Sequence, residues 1–169
     1  MSRQTTLVLG GAASGKSAYA ESLVEAHDGP LTYIASAQAY DPEMEAKIRI
    51  HTERRGPRWR TVEAPLDVAA ALAQLTQADC CLFDCATLWV SNHLLNGSDL
   101  ATEQAALLTA ISNCPAPLVI VTNEVGHGIV PDNALARQFR EAQGRLNIAL
   151  AAQADTVVQV IAGLPQVLK

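Results

Sequence analysis

The chain has 169 residues and a formal net charge of -5, with 49% hydrophobic and 4% aromatic residues. This length suits one domain with one hydrophobic core, expected to occupy residues 1–169. The acidic balance excludes a general nucleic-acid binder, the lack of an apolar run of about eighteen residues excludes a membrane span, and "MSRQTT" before a brief strand does not read as a signal peptide, so a cytoplasmic protein is expected.

The first apolar, β-branched run, "TTLVL" (5 to 9), leads straight into "GGAASGKS" (10 to 17), which fits G-x-x-x-x-G-K-[ST] with Gly10, Gly15, Lys16 and Ser17 in the fixed places. Gly10, Gly11 and Gly15 let successive N–H groups turn toward an anion, and the helix that starts near Lys16 adds the positive end of its dipole. Lys16 is expected to reach the outer phosphates and the Ser17 hydroxyl to ligate magnesium. A helical pattern follows at 16 to 27, ending in His27, where an imidazolium suits the helix dipole.

A second strand, "LTYIA" (31 to 35), precedes a helical pattern at 42 to 55 with Asp41 as N-cap and Pro42 at the first helical position. Met44, Ile48, His51 and Arg55 fall on one face of that helix. Lys47, Arg54 and Arg55 favour a neutral, nucleophilic imidazole at His51, and the arginines could cradle phosphate oxygens around it. Six of the twelve basic residues lie between Lys47 and Arg60, which in an acidic chain suggests a small polyphosphate ligand. "GPR" (56 to 58) offers a hinge.

After a helical pattern at 66 to 77, "CCLFD" (80 to 84) ends in Asp84, a candidate magnesium carboxylate whose alternative is to cap the next helix. Helical patterns at 86 to 95 and 100 to 112 lead to the strand "PLVIVTN" (117 to 123), where Glu124 is a competing carboxylate and His127 a possible substrate contact. A helix at 133 to 154 and a strand at 155 to 163 complete the series. Cys80, Cys81, Cys85 and Cys114 lack zinc-site spacing and read as buried thiols, and His93 as structural. Strands alternating with helices predict an α/β fold, a mainly parallel sheet covered on both faces, of the P-loop NTPase (RecA-like) class.

Together, "GGAASGKS", "YIASAQAYDPEMEAKIRIHTERRGPRWRTVE" and "TNEVGHGIVPDNALARQFREAQGRLN" resemble the bifunctional adenosylcobinamide kinase and adenosylcobinamide-phosphate guanylyltransferase family of cobalamin biosynthesis. The resemblance implies phosphorylation of adenosylcobinamide by ATP or GTP, then transfer of GMP from GTP to the new phosphate, with Mg2+ as the metal. It implies His51 as the guanylylated residue. Nucleotide contacts carry over to Gly10, Gly11, Ala12, Ala13, Ser14, Gly15, Lys16 and Ser17, to Ala35, Ser36 and Ala37, to Thr52, Glu53, Arg54 and Arg55, and to Glu63 and Asp84. Lys16 and His51 become the catalytic pair and Ser17 and Asp84 the metal ligands. A carboxylate at Glu63 could accept from guanine N–H groups or ribose hydroxyls. Family members commonly have Arg where this chain has Ala13, so one cation near the phosphates is missing. A homo-oligomer, in trimeric form, is also implied. The competing functions are a P-loop small-molecule kinase without transferase activity and a non-catalytic GTP-dependent switch.

Overall fold

The computed structural model describes residues 3–38 and 55–169. The helix expected at 42 to 55, its cap at Asp41 and Pro42, and His51, Thr52, Glu53 and Arg54 lie outside the described residues. Among the described residues seven strands form one sheet in the order β3-β2-β4-β5-β1-β6-β7. They are β1 (Thr5–Gly10), β2 (Leu31–Ala35), β3 (Trp59–Glu63), β4 (Cys80–Asp84), β5 (Leu118–Asn123), β6 (Thr156–Ile161) and β7 (Leu164–Val167). All neighbours pair in parallel except β6 and β7.

The central strands are apolar on both faces because helices cover both. On one face Val8, Leu82, Val119, Val121 and Val158 pack with Ala20 and Val24 of α1 (Lys16–Glu25). On the other, Leu7, Phe83, Ile120 and Val157 pack with α2 (Val68–Leu72), α3 (Ala86–Asn96), α4 (Leu100–Asn113) and α5 (Ala134–Gln153). Each of these four helices begins at a side chain that accepts a first-turn N–H: Asp67 from Ala70, Cys85 from Leu88, Asp99 from Ala101 and Asn133 from Ala136. Gly97 in the left-handed region ends α3.

The α/β P-loop class expected from the sequence is the one observed, with three local corrections. β3 was not anticipated: it is an edge strand, paired only to β2 and mostly exposed, so it carries no apolar run. The strand expected over 155 to 163 breaks at Ala162 and Gly163, both with positive φ (51° and 79°), and the chain returns antiparallel as β7. That is the backbone of a two-residue hairpin turn. The helix expected at 66 to 77 is the shorter α2, which starts after the Asp67 cap and already ends at Leu72.

Parallel register lines up the strand ends that matter for chemistry. Gly10 lies beside Asn123, Val121 beside Asp84, Asp84 beside Ala35, and Ala35 beside Glu63. The carboxyl edge of the sheet, where open α/β folds bind ligands, therefore carries the glycine loop and both carboxylates.

Candidate functional site

The glycine loop leaves β1 at Gly10, where a Cβ would stand 2.5 Å from Ser14 Oγ and 2.6 Å from the Val160 carbonyl; only glycine fits. Gly15 has φ 92° and N-caps α1. A Cβ there would meet Gly163 Cα at 3.0 Å. By contrast, Gly11 is exposed and open, and the second left-handed residue of the loop is Ala13, with φ 53°. The glycine requirement thus falls on Gly10 and Gly15, and the loop tolerates about 1–2 kcal/mol of strain at Ala13. The hairpin turn props the loop from outside: Gly163 N–H donates to the Ser14 carbonyl at 2.8 Å.

Lys16 is 9% exposed and arches over the loop, its Nζ donating to the Gly11 carbonyl at 3.1 Å. Ser17 follows in the first turn of α1, partly buried. Ala12 is exposed at the crest of the loop, while Ser14 Oγ is buried with no hydrogen-bond partner.

Asp84 does not cap the helix after it. The cap of α3 is Cys85, whose Sγ accepts the Leu88 N–H at 3.5 Å. Even-numbered residues of β4 face α1, as Leu82 shows, which sets Asp84 on the same side of the sheet as the loop. Its Oδ2 accepts from the Tyr33 hydroxyl at 3.2 Å. Burial, with the Asp84 charge beside it, pushes the Tyr33 phenol well above its ordinary value, so it remains a donor. Glu124 bonds within its own loop: Oε1 accepts the Gly126 N–H at 2.6 Å, and Arg140 donates to the Gly126 carbonyl. Exposed His127 stands 4.0 Å from the same carboxylate oxygen.

The described residues among those expected beyond the loop gather around β2. Ser36 locks the end of β2 to β4, its Oγ donating to the Cys85 carbonyl at 2.7 Å and accepting the Cys85 N–H at 2.8 Å. Ala35 is buried beside Asp84 and partly buried Ala37 follows. Arg55 lays its guanidinium over the Tyr33 ring, 3.3 Å from the centroid, and donates to Thr61 Oγ1 at 3.3 Å. Glu63 is exposed at the end of β3, beside a hollow of about 340 Å³ bordered by Pro65, Leu66, Asp67 and Gln74.

The loop and Asp84 thus share one face, two strand steps apart, or about 10 Å. Glu63 is four steps from β1, or about 19 Å. Arg55 is joined to the Asp84 end of this array. Tyr33 is the residue that sequence reasoning missed; its one signal was a phenol at an inward position of a buried strand, where a hydroxyl needs a partner. Two histidine expectations also resolve. His27 Nδ1 accepts the Gly29 N–H at 3.0 Å, so the ring closes the turn after α1, a structural role. His93 is buried, stacked edge-on against Trp89 and bonded to the Leu66 carbonyl, a structural role. All four cysteines are buried free thiols.

Residues 6–168 match the model of the cobinamide kinase / cobinamide phosphate guanyltransferase family. The chain belongs to this family. It is 43% identical over 166 residues to the bifunctional adenosylcobalamin biosynthesis protein CobP of Pseudomonas aeruginosa, covering 96% of each chain. It is 44% identical over 176 residues to the bifunctional adenosylcobalamin biosynthesis protein CobU of Salmonella typhimurium, covering 94% of this chain and 96% of that one. A solved structure from Pyrococcus horikoshii OT3 superposes over 98% of this chain and 86% of its own with a TM-score of 0.55; at 10% identity it bears on the fold alone. Membership in this cobinamide kinase family makes the loop a nucleotide site. No helix among the described residues is long and apolar enough to cross a membrane.

Proposed function

We propose that this chain, as one nucleotide-binding domain over residues 1–169, phosphorylates adenosylcobinamide with ATP or GTP. It then moves GMP from GTP onto adenosylcobinamide phosphate through a guanylyl-His51 intermediate. The observation that carries this reading is the phosphate loop with Lys16 on the same sheet face as the Asp84 carboxylate.

The loop N–H groups and the start of α1 hold the triphosphate, and Lys16 exchanges the Gly11 carbonyl for outer phosphate oxygens. Oxygen donors at Ser17 and Asp84, the latter oriented by Tyr33, suit Mg2+, which prefers one or two protein oxygens plus phosphates. When bound, the metal neutralises charge as a phosphoryl group leaves. In the second reaction the His51 imidazole attacks the α phosphorus, the α–β bridging bond breaks and pyrophosphate departs. The N–P bond then passes GMP to the substrate phosphate and frees the ring. Arg54 and Arg55 are assigned to the phosphates, with Arg55 already seated at the Asp84 end of the site, and Thr52 and Glu53 to the nucleoside alongside Ala35–Ala37. Glu63, by its exposure and its hollow, is assigned to guanine or ribose. A cytoplasmic homo-oligomer, trimeric by family likeness, is part of the proposal; large exposed apolar residues such as Leu95, Ile129 and Val130 support a self-association face.

Incubation with α-labelled GTP, followed by peptide mass spectrometry, tests the transferase half. An acid-labile, alkali-stable adduct on the His51 peptide, absent in His51→Ala, is the expected result. Phosphorylation of adenosylcobinamide with no such adduct would leave a simple kinase, and GTP binding with neither reaction would leave a switch.

A further inference from the structure

Asn123 ends β5, the strand between the loop strand β1 and the Asp84 strand β4. Val119 and Val121 of β5 pack in the layer beneath α1. Thr122 points the other way, its hydroxyl donating to Asn147 Oδ1 at 2.6 Å and accepting from Gln143 Nε2 at 2.8 Å, both from α5. The period of two therefore sets Asn123 on the α1 face, with the loop and Asp84. It lies beside Gly10 in the register with β1, two residues past the Val121 that pairs with Asp84.

Three bonds fix the backbone here. The Asn123 N–H donates to Thr87 Oγ1 of α3 at 2.7 Å, its carbonyl accepts from Asn147 Nδ2 of α5 at 3.0 Å, and the next N–H, of Glu124, donates to the Gly10 carbonyl at 3.1 Å. Only the backbone of Asn123 takes part. Its side-chain amide, partly exposed, has no hydrogen-bond partner among the described residues. Asparagine is depleted in strands, so a clamped one with an uncommitted amide at the mouth of a phosphate loop calls for a ligand.

We infer that the Asn123 amide donates to an oxygen of the outermost phosphate of the loop-bound nucleotide and holds that group in line for the acceptor hydroxyl. The inference rests on the phosphoryl-transfer half of the proposed function. In that step the acceptor oxygen bonds to the γ phosphorus, the β–γ bridging bond breaks, the nucleoside diphosphate leaves and the hydroxyl proton passes to solvent. Charge spreads over the equatorial oxygens meanwhile. A neutral donor on a rigid strand end meets that charge with no reorganisation, and without the repulsion that a carboxylate would bring. Guanylyl transfer reacts at the α phosphorus and makes no use of it.

The test compares Asn123→Ala and Asn123→Asp in the full chain, assaying phosphorylation of adenosylcobinamide and, separately, GMP transfer to preformed adenosylcobinamide phosphate. For Asn123→Ala the phosphorylation kcat is expected to fall about 10- to 100-fold with nucleotide KM changed less than about 3-fold, and Asn123→Asp to fall further. GMP transfer and the urea midpoint of Asn123→Ala should stay near wild type. Unchanged phosphorylation kcat in Asn123→Ala overturns the inference, as does an equal loss in both reactions with a lowered urea midpoint, the mark of a structural strand end. If the wild-type chain carries out neither reaction, the functional reading fails and the inference with it. An active wild type with an unimpaired Asn123→Ala removes the inference alone.

Discussion

Replacing Tyr33 by Phe removes one oxygen and leaves the rest of its surroundings in place. The ring keeps its edge contact with Trp59, at 6.4 Å between centroids, and its place beneath the Arg55 guanidinium at 3.3 Å. What is lost is the donor to Asp84 Oδ2 at 3.2 Å. Hydrogen bonds to charged groups contribute about 1.5–3 kcal/mol, but this one is longer than the usual O–H···O distance of about 2.7–2.8 Å, so the low end applies. Offset by no longer burying a hydroxyl, the net loss of stability is about 1 kcal/mol. If the same bond aims Asp84 at magnesium, a comparable energy appears as a 5- to 10-fold rise in the Mg2+ concentration that half-saturates adenosylcobinamide phosphorylation. Because burial and the Asp84 charge keep the phenol protonated, the effect should be the same at pH 7 and pH 9. Urea denaturation and magnesium titration of the kinase reaction measure the two quantities. A stability loss with an unchanged magnesium requirement would refute the claim that Tyr33 positions Asp84.

Gly15→Ala must force an L-residue into φ 92° and press its methyl to 3.0 Å from Gly163 Cα, so it should lower stability by about 2 kcal/mol or more and weaken nucleotide binding at least tenfold. Gly163→Ala meets only the strain of φ 79°, with nothing within 4 Å of the added carbon, and should cost about 1 kcal/mol; equal losses in the two variants, read by urea midpoint, would show that the contact is immaterial. Burial pushes the Cys85 thiol up to about 11 from 9.0. Its folded value lies above its unfolded one, so the stability it supports is intact below about pH 9 and is lost as pH rises toward 11, by about 2–3 kcal/mol. Urea midpoints at pH 8 and 10.5 should show this fall, and Cys85→Ala should make it shallower, the remainder coming from Cys80, Cys81 and Cys114, which burial also raises; parallel slopes for the two proteins would contradict the assignment.

The phosphate loop was legible because its chemistry sits in consecutive residues: the spacing of Gly10, Gly15, Lys16 and Ser17 determines both the turn and the anion it holds. Central strands such as "CCLFD" were legible because burial on both faces leaves a continuous apolar signal. β3 was not, since an edge strand carrying Arg60, Thr61 and Glu63 outward looks like a loop. β7 was hidden for a related reason: its apolar residues are exposed, and the turn before it uses Ala162 where a stronger signal would have Asn or Asp. At the site, Asp84 and Glu124 stand as competing carboxylates in the sequence, because what surrounds each is set by its folded neighbours: Cys85 takes the cap beside one, and Gly126 donates to the other. Tyr33 and Asn123 act through register with strands far away in the chain, and no local pattern announces a neighbour of that kind.

Ser14 and Gly163 lie at opposite ends of the polypeptide, yet the shape of the anion-gripping turn depends on their meeting. The outer support of the loop is therefore complete only once the last hairpin has docked. Loss of that hairpin's contact, by mutation or by a bound molecule that pries it away, would loosen the loop from a place where no reacting atom sits.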